Sequence, residues 1–208
     1  MTYSNKLTAH YLELAKNPIN EGNFAGTDVR YSTEYEVLEN ELGKATALHE
    51  TAAIDWQKVR ENSEILLSAH SKDLRVAAWL IWGLYQRESF PGLQAGFSLL
   101  HLCLNHWAEL HPRKARPRAA AISWLIPRLE QALAEHVPIG EQLALFRSLA
   151  EQLRALETCL AEHLGEDAPL LLPLCRRLDE LVKRARQGQP EPGSVGAAIA
   201  QVKQAASQ

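Results

Sequence analysis

Residues 71–82 read Ser71-Lys72-Asp73-Leu74-Arg75-Val76-Ala77-Ala78-Trp79-Leu80-Ile81-Trp82, and the fold class follows from this stretch. A short charged signature leads into a run, Leu74 to Tyr85, that is hydrophobic on nearly every side. A helix apolar all round is stable only when buried, so the run predicts the central helix of a helical core. It spans about 12 residues between Arg75 and Arg87, short of the roughly 18 to 20 that cross a bilayer. Lys72, Asp73 and Arg75 are expected at the exposed mouth of that helix, serving caps, ion pairs or a partner, with Ser71 as its N-cap.

Outward from there the chain reads as helix almost throughout. Residues 6–16 predict a short amphipathic helix with Leu7, Tyr11 and Leu14 on one side, and residues 17–30, with Pro18, Gly22 and Gly26, an irregular loop. Thr33 and Glu36 fit a capping box that opens a helix to about Leu48, with Tyr35, Leu38, Leu42 and Ala45 at core spacing. Asp55 is a natural N-cap for a helix from Trp56 to about Ala69, carrying Val59, Ile65 and Leu66 inward. The central helix should end before Phe90-Pro91-Gly92. Leu93, Phe97, Leu100, Leu104 and Trp107 then recur at helical spacing and predict one helix over 93–111, closed by Pro112. A basic connection with Arg113, Lys114, Arg116 and Arg118 leads to a helix over 119–136, with Ile122, Leu125, Leu129 and Leu133 inward and a kink expected at Pro127.

Residues 139–164 and 172–187 predict an antiparallel hairpin packed on the preceding helices. The turn-rich stretch 188–196 reads as a linker, with a weak helix over 197–206. No strand pattern and no fixed repeat appear. The expected architecture is an all-α bundle of about seven to nine helices. Residues 1–137 form its main domain and 138–187 the hairpin, while 188–208 lead toward a further C-terminal region.

Composition narrows the function. The chain has 208 residues, five Trp, 46% hydrophobic and 23% charged residues, and a net charge of -3. No global field therefore draws it to nucleic acid or to an anionic membrane, and no membrane insertion is expected. Cys103, Cys159 and Cys175 are odd in number and set in helical patterns, which suits buried thiols in a reducing compartment. With no signal-peptide pattern at the start, the cytoplasm is the expected location.

The histidines His101, His106 and His111, with Cys103, lack the three- or four-residue spacing that places ligands on one helix face, so no metal is expected. There is no nucleophile elbow, and Leu-rich surroundings raise a thiol pKa. Glu34, Glu36, Glu39 and Glu41 read as a solvated helix start, and Gly22 and Gly26 carry no phosphate-loop Lys. The chain is expected to be no enzyme and to hold no cofactor. The cluster Arg113 to Arg118 is too small for nucleic acid; Arg118 would serve a pair inside the bundle and Arg113 a helix cap. Trp56, Trp79, Trp82, Trp107 and Trp124 read as core, with Trp56 the one expected to reach the surface beside Asp55.

Several segments also fall in a familiar order: Gly26-Thr27-Asp28-Val29-Arg30-Tyr31-Ser32, Glu34-Tyr35-Glu36-Val37-Leu38-Glu39, Asp55-Trp56-Gln57-Lys58-Val59, Ser71-Lys72-Asp73-Leu74-Arg75-Val76-Ala77, Trp79-Leu80, Gly92-Leu93 and Trp107-Ala108-Glu109-Leu110-His111-Pro112. Over about residues 20–135 this resembles the ImpA-type N-terminal domain of the TssA (VasJ) family of bacterial type VI secretion proteins. The resemblance implies a cytoplasmic, non-catalytic assembly component that engages baseplate, spike, tube, sheath or membrane-complex proteins. It also implies a ring-shaped homo-oligomer formed through a C-terminal region. Asp28, Arg30, Asp55, Lys72, Asp73 and Arg75 are then expected to form either a docking face or an internal network that fixes helix order, with Trp56, Arg113 and Arg118 as further candidates.

Overall fold

The computed structural model describes residues 2–47, 52–134, 136–188 and 195–206. Among them the chain is all-α, with isolated backbone bridges and no strand. Helix α1 (Tyr3–Lys16) buries Leu7, Tyr11 and Leu14 and is capped by Thr2. Helix α2 (Thr33–Gly43) is capped by Ser32, whose hydroxyl accepts from the Tyr35 N–H, so the box expected at Thr33 and Glu36 starts one residue early and has no Glu arm. It stops at Gly43, which leaves Ala45 exposed; the expected end at residue 48 lies outside the described residues. Helix α3 (Trp56–Ala69) begins where expected, with Asp55 accepting from the Lys58 N–H at 3.1 Å. Its inward pair is Leu66 and Leu67, while Ile65 is 45% exposed.

Helix α4 (Leu74–Phe97) is buried on almost all sides through Leu84 and reverses at Ser89, whose φ of 57° and ψ of -143° leave helical space. The chain thus punctuates where Pro91 and Gly92 signalled. The arm after the reversal folds back on the helix before it. A Cβ at Gly92 would stand 2.1 Å from the Leu84 carbonyl oxygen, and one at Gly96 would stand 3.0 Å from the Ile81 Cα. Only glycine allows backbones this close.

The single helix expected over 93–111 is instead broken into a 3-10 turn (Ser98–Leu100), helix α5 (His101–His106) and a second 3-10 turn (Trp107–Glu109). Leu104, placed inward by the periodicity, is 44% exposed. The tight turns re-aim the chain so that Leu110 is buried and the His111 backbone meets Lys72. Helix α6 (Ala115–Ala134) is continuous across Pro127 and buries Ile122, Leu125, Leu129 and Leu133 as expected.

Helix α7 (Leu143–Leu164) buries Phe146, Leu149, Leu153, Leu156 and Leu160. Ile139, expected inside it, is buried in the connection before it. Helix α8 (Leu172–Arg186) opens with Pro173 in its first turn and buries Leu174, Leu178 and Leu181. It runs antiparallel to α7: Arg154 pairs with Asp179 at 2.6 Å, and Arg147 near the start of α7 shares a groove with Arg186 at the end of α8. Phe90 and Phe146, with ring centres 4.8 Å apart, join α7 to the α4 arm, and one apolar core runs from Leu7 to Leu181. Helix α9 (Val195–Ala205) follows residues 189–194, which lie outside the described residues, and exposes Val195, Ile199 and Val202.

The close approach at the α4 reversal predicts that Gly92→Ala costs about 2 to 3 kcal/mol by overpacking, lowering the melting temperature by roughly 5 to 10 °C. Gly43, whose Cβ would meet nothing within 4 Å, is the control. Thermal unfolding followed by circular dichroism checks both: Gly92→Ala melts early, and Gly43→Ala melts within about 2 °C of the parent.

Candidate functional site

The charged signature of residues 71–75 does not lie at an exposed mouth. Ser71, Lys72 and Asp73 are fully buried, which corrects the surface placement read from the sequence. The stretch 70–73 leaves the end of α3 and runs between two other loops, bridged to them at Ser71 and Asp73. Thr27 N–H donates to the His70 carbonyl at 3.1 Å and Lys72 N–H to the Ala25 carbonyl at 2.8 Å. On the other side His111 N–H donates to the Lys72 carbonyl at 3.0 Å and Leu74 N–H to the His111 carbonyl at 2.8 Å. His111 Nε2 crosses to the Gly26 carbonyl at 3.1 Å, closing the knot. Gly26 sits at φ +67°, and a Cβ there would stand 2.1 Å from the His70 oxygen, so the Gly26 to Arg30 motif begins with glycine for want of room. The His111–Pro112 peptide is cis.

Three side chains lock this knot to helix ends. Lys72 Nζ donates to the Leu14 carbonyl at 2.6 Å and the Leu67 carbonyl at 2.7 Å, in the last turns of α1 and α3, and lies 5.7 Å from the Phe24 ring centre. A cation at two helix C-termini satisfies orphan carbonyls and the negative dipole ends together. Burial still pushes the ammonium down to about 8. Asp73, not Ser71, caps α4: its Oδ1 accepts from the N–H of Arg75 at 2.8 Å and of Val76 at 3.4 Å. The Ser71 hydroxyl is buried with no partner among the described residues.

Arg75 closes a fork on Asp73 (Nη2 to Oδ2 at 2.6 Å), lies 3.8 Å from Asp28 and stacks 5.2 Å from the Tyr35 ring centre. Burial opposes charge on Asp28, but the Arg30 N–H, the Arg30 guanidinium and Arg75 outweigh it and hold the carboxyl below its ordinary range. Arg118 is buried and donates to three carbonyls, of Trp107, Leu110 and Pro112, at 2.6 to 2.7 Å. Arg113 donates to the Ala108 carbonyl at 3.1 Å and is otherwise exposed.

The structure therefore brings Asp28, Arg30, Lys72, Asp73, Arg75 and Arg118 to one knot and its rim. It leaves Asp55 and Trp56 elsewhere. Asp55 belongs with Glu41, which sequence reasoning placed on a solvated face. Glu41 is buried and accepts from the Asp55 N–H at 2.6 Å and from Lys44 at 2.9 Å, with Lys58 at 3.7 Å. Its spacing from Leu38, one turn earlier on the buried face, was the available signal. The histidines diverge: His101 bonds Asn105, His106 stacks on Phe24, and His111 holds the knot.

A second feature lies at the surface. Trp56 of α3, Trp79 and Trp82 of α4 and Trp124 of α6 line one groove of about 490 Å³, with Glu39, Leu42, Ile54 and Arg128. Trp82 is buried, while Trp56, Trp79 and Trp124 are half-buried, so Trp79 and Trp124, read as core, belong with Trp56 to a partly open aromatic wall. The fifth, Trp107, stacks on His163 with ring centres 5.0 Å apart.

The knot predicts a structural loss when it is cut. Asp73→Ala removes a cap and strands a half-buried guanidinium, costing about 2 to 4 kcal/mol and several degrees of melting temperature. The Lys72 ammonium also sets a pH dependence. The folded chain releases that proton near pH 8, while the unfolded chain holds it to about 10.5. Between those values the unfolded state binds more protons, so wild-type stability rises with pH relative to Lys72→Met. Denaturant midpoints of both proteins at pH 7 and pH 9.5 check the sign.

The sequence matches the family described as ImpA, N-terminal, type VI secretion system over residues 16–127. No curated protein matches it. Among solved structures, the fold is similar to the N-terminal domain including the conserved ImpA_N region of the TssA component of the type VI secretion system from Burkholderia cenocepacia. The TM-score is 0.61 at 23% identity, over 86% of this chain and 94% of that one. At that identity the likeness is one of fold. The family match contains the three loops of the knot and all four groove tryptophans, and it spans more than half of the chain. The protein belongs to the ImpA N-terminal family and is a type VI secretion system component.

Proposed function

We propose that this chain is a non-catalytic docking domain that offers its aromatic groove to another component of the secretion apparatus in the bacterial cytoplasm. The observation that carries this reading is the groove: four tryptophans from three helices meet at one partly open surface, three of them half-buried. Tryptophan dominates the energetics of protein interfaces, and a cluster left partly in water is stabilised when a partner covers it. The charged motif is engaged internally, which makes it the scaffold that holds α3, α4 and α6 in place under the groove. None of the described helices is long and apolar enough to cross a membrane. A baseplate, spike, tube, sheath or membrane-complex subunit is the expected partner, with ring assembly left to a C-terminal region.

Pairwise binding to purified candidate subunits tests this. Trp56→Ala, verified as folded by its helical signal and melting curve, is expected to weaken the partner at least tenfold. Arg113→Ala, at the exposed basic connection, is expected to leave it unchanged. Full binding by Trp56→Ala overturns the groove as docking surface; loss with Arg113→Ala moves the interface to the basic connection.

A further inference from the structure

Arg128 stands apart from the other half-buried cations of this protein. Arg75 has Asp73, Arg60 has Glu64 and Arg177 faces Glu180. Arg128 has only Trp124, one turn earlier on α6: its guanidinium carbon lies 3.6 Å from the ring centre, and Nη1 donates to the Trp124 carbonyl at 2.6 Å. No carboxylate among the described residues pairs with it. Burial lowers its pKa, and no neighbouring acid offsets the shift. Glu39, the one acid among the described lining residues, is exposed, where water and salt screen its charge.

A guanidinium carries five N–H donors in a planar fork, and one of those on Arg128 is committed to Trp124. The guanidinium is held over the Trp124 ring by that bond and the ring contact, so less side-chain freedom is left to lose when an anion arrives. Partial desolvation strengthens a pair formed there beyond one on open surface. Beside it, Trp56, Trp79 and Trp82 supply apolar area that no side chain beyond the lining covers among the described residues.

We infer that the groove takes a partner segment in which a carboxylate stands next to an aromatic or apolar side chain, the carboxylate on Arg128 and the apolar group on the tryptophans. This rests on reading the groove as the docking surface, and it names the chemistry of what docks. An arginine that merely covers Trp124 would show no preference for an acid.

The test uses the 15N-labelled full chain and three capped peptides, Gly-Asp-Phe-Asp-Gly, Gly-Asn-Phe-Asn-Gly and Gly-Lys-Phe-Lys-Gly, followed on the tryptophan indole N–H signals. The Asp peptide is expected to shift the Trp56 and Trp124 signals saturably. It should bind about tenfold more weakly to Arg128→Gln, as for loss of a charge-assisted hydrogen bond, and should weaken as salt is raised. Arg128→Lys should recover part of the binding. Equal binding of the Asn or Lys peptide, unchanged binding by Arg128→Gln, or no indole shift from any peptide at about 5 mM overturns the inference. Each of these outcomes leaves the docking surface itself to be judged by the Trp56→Ala result.

Discussion

The stretch 70–73, pinned between residues 25–27 and His111, is the constraint on which the rest depends. Four backbone hydrogen bonds tie three loops far apart in sequence, and each loop joins two helices. Fixing them sets where α1, α3 and α4 end or begin, and through Arg118 it also sets the entry to α6. A helical bundle normally takes its geometry from side-chain packing between helices. Here the packing operates on helices whose ends are already tied by main-chain bonds.

The sign of each buried charge follows from where it sits. Lys72 meets the C-terminal carbonyls of α1 and α3, and Arg118 the carbonyls that close the 107–112 segment, all at negative ends of backbone dipoles. Asp73 meets the N–H groups that open α4. A charge so placed recovers in directed hydrogen bonds part of what burial removes from it, and its loss strands the partners as well. Gly26 and Gly92 serve the same closeness, one under the His70 oxygen and one under the Leu84 oxygen.

Much of this was legible in the sequence, for reasons that particular residues make plain. The 3.6 period of α6, α7 and α8 and the Asp55 cap depend on neighbours three or four positions apart, and those stood where read, whereas in α3 Leu67 is buried where Ile65 was expected. The burial of Lys72 was not legible, because a lysine next to an aspartate is ordinarily solvated and its partners, Leu14 and Leu67, are backbone atoms. The breaks between Ser98 and Glu109 were hidden by an apolar period that continues through them, since the re-aiming serves a bond from His111 to Lys72. For the groove, Trp79 and Trp82 on one face and the Trp124–Arg128 pair were visible locally, but only the tertiary fold sets three helices around them.

The division of labour that results is a closed polar knot inside and an open aromatic wall outside, the first holding the second in shape. Native-state hydrogen exchange tests this most directly, through the amides of Thr27, Lys72, Leu74 and His111. If the knot is the keystone, these four loop amides exchange only by global unfolding, with the same denaturant dependence as the buried amides of Leu80 and Leu84 in α4. Exchange through local opening, fast while α4 stays protected, would contradict the account and reduce the knot to a passive connection between helices that pack without it.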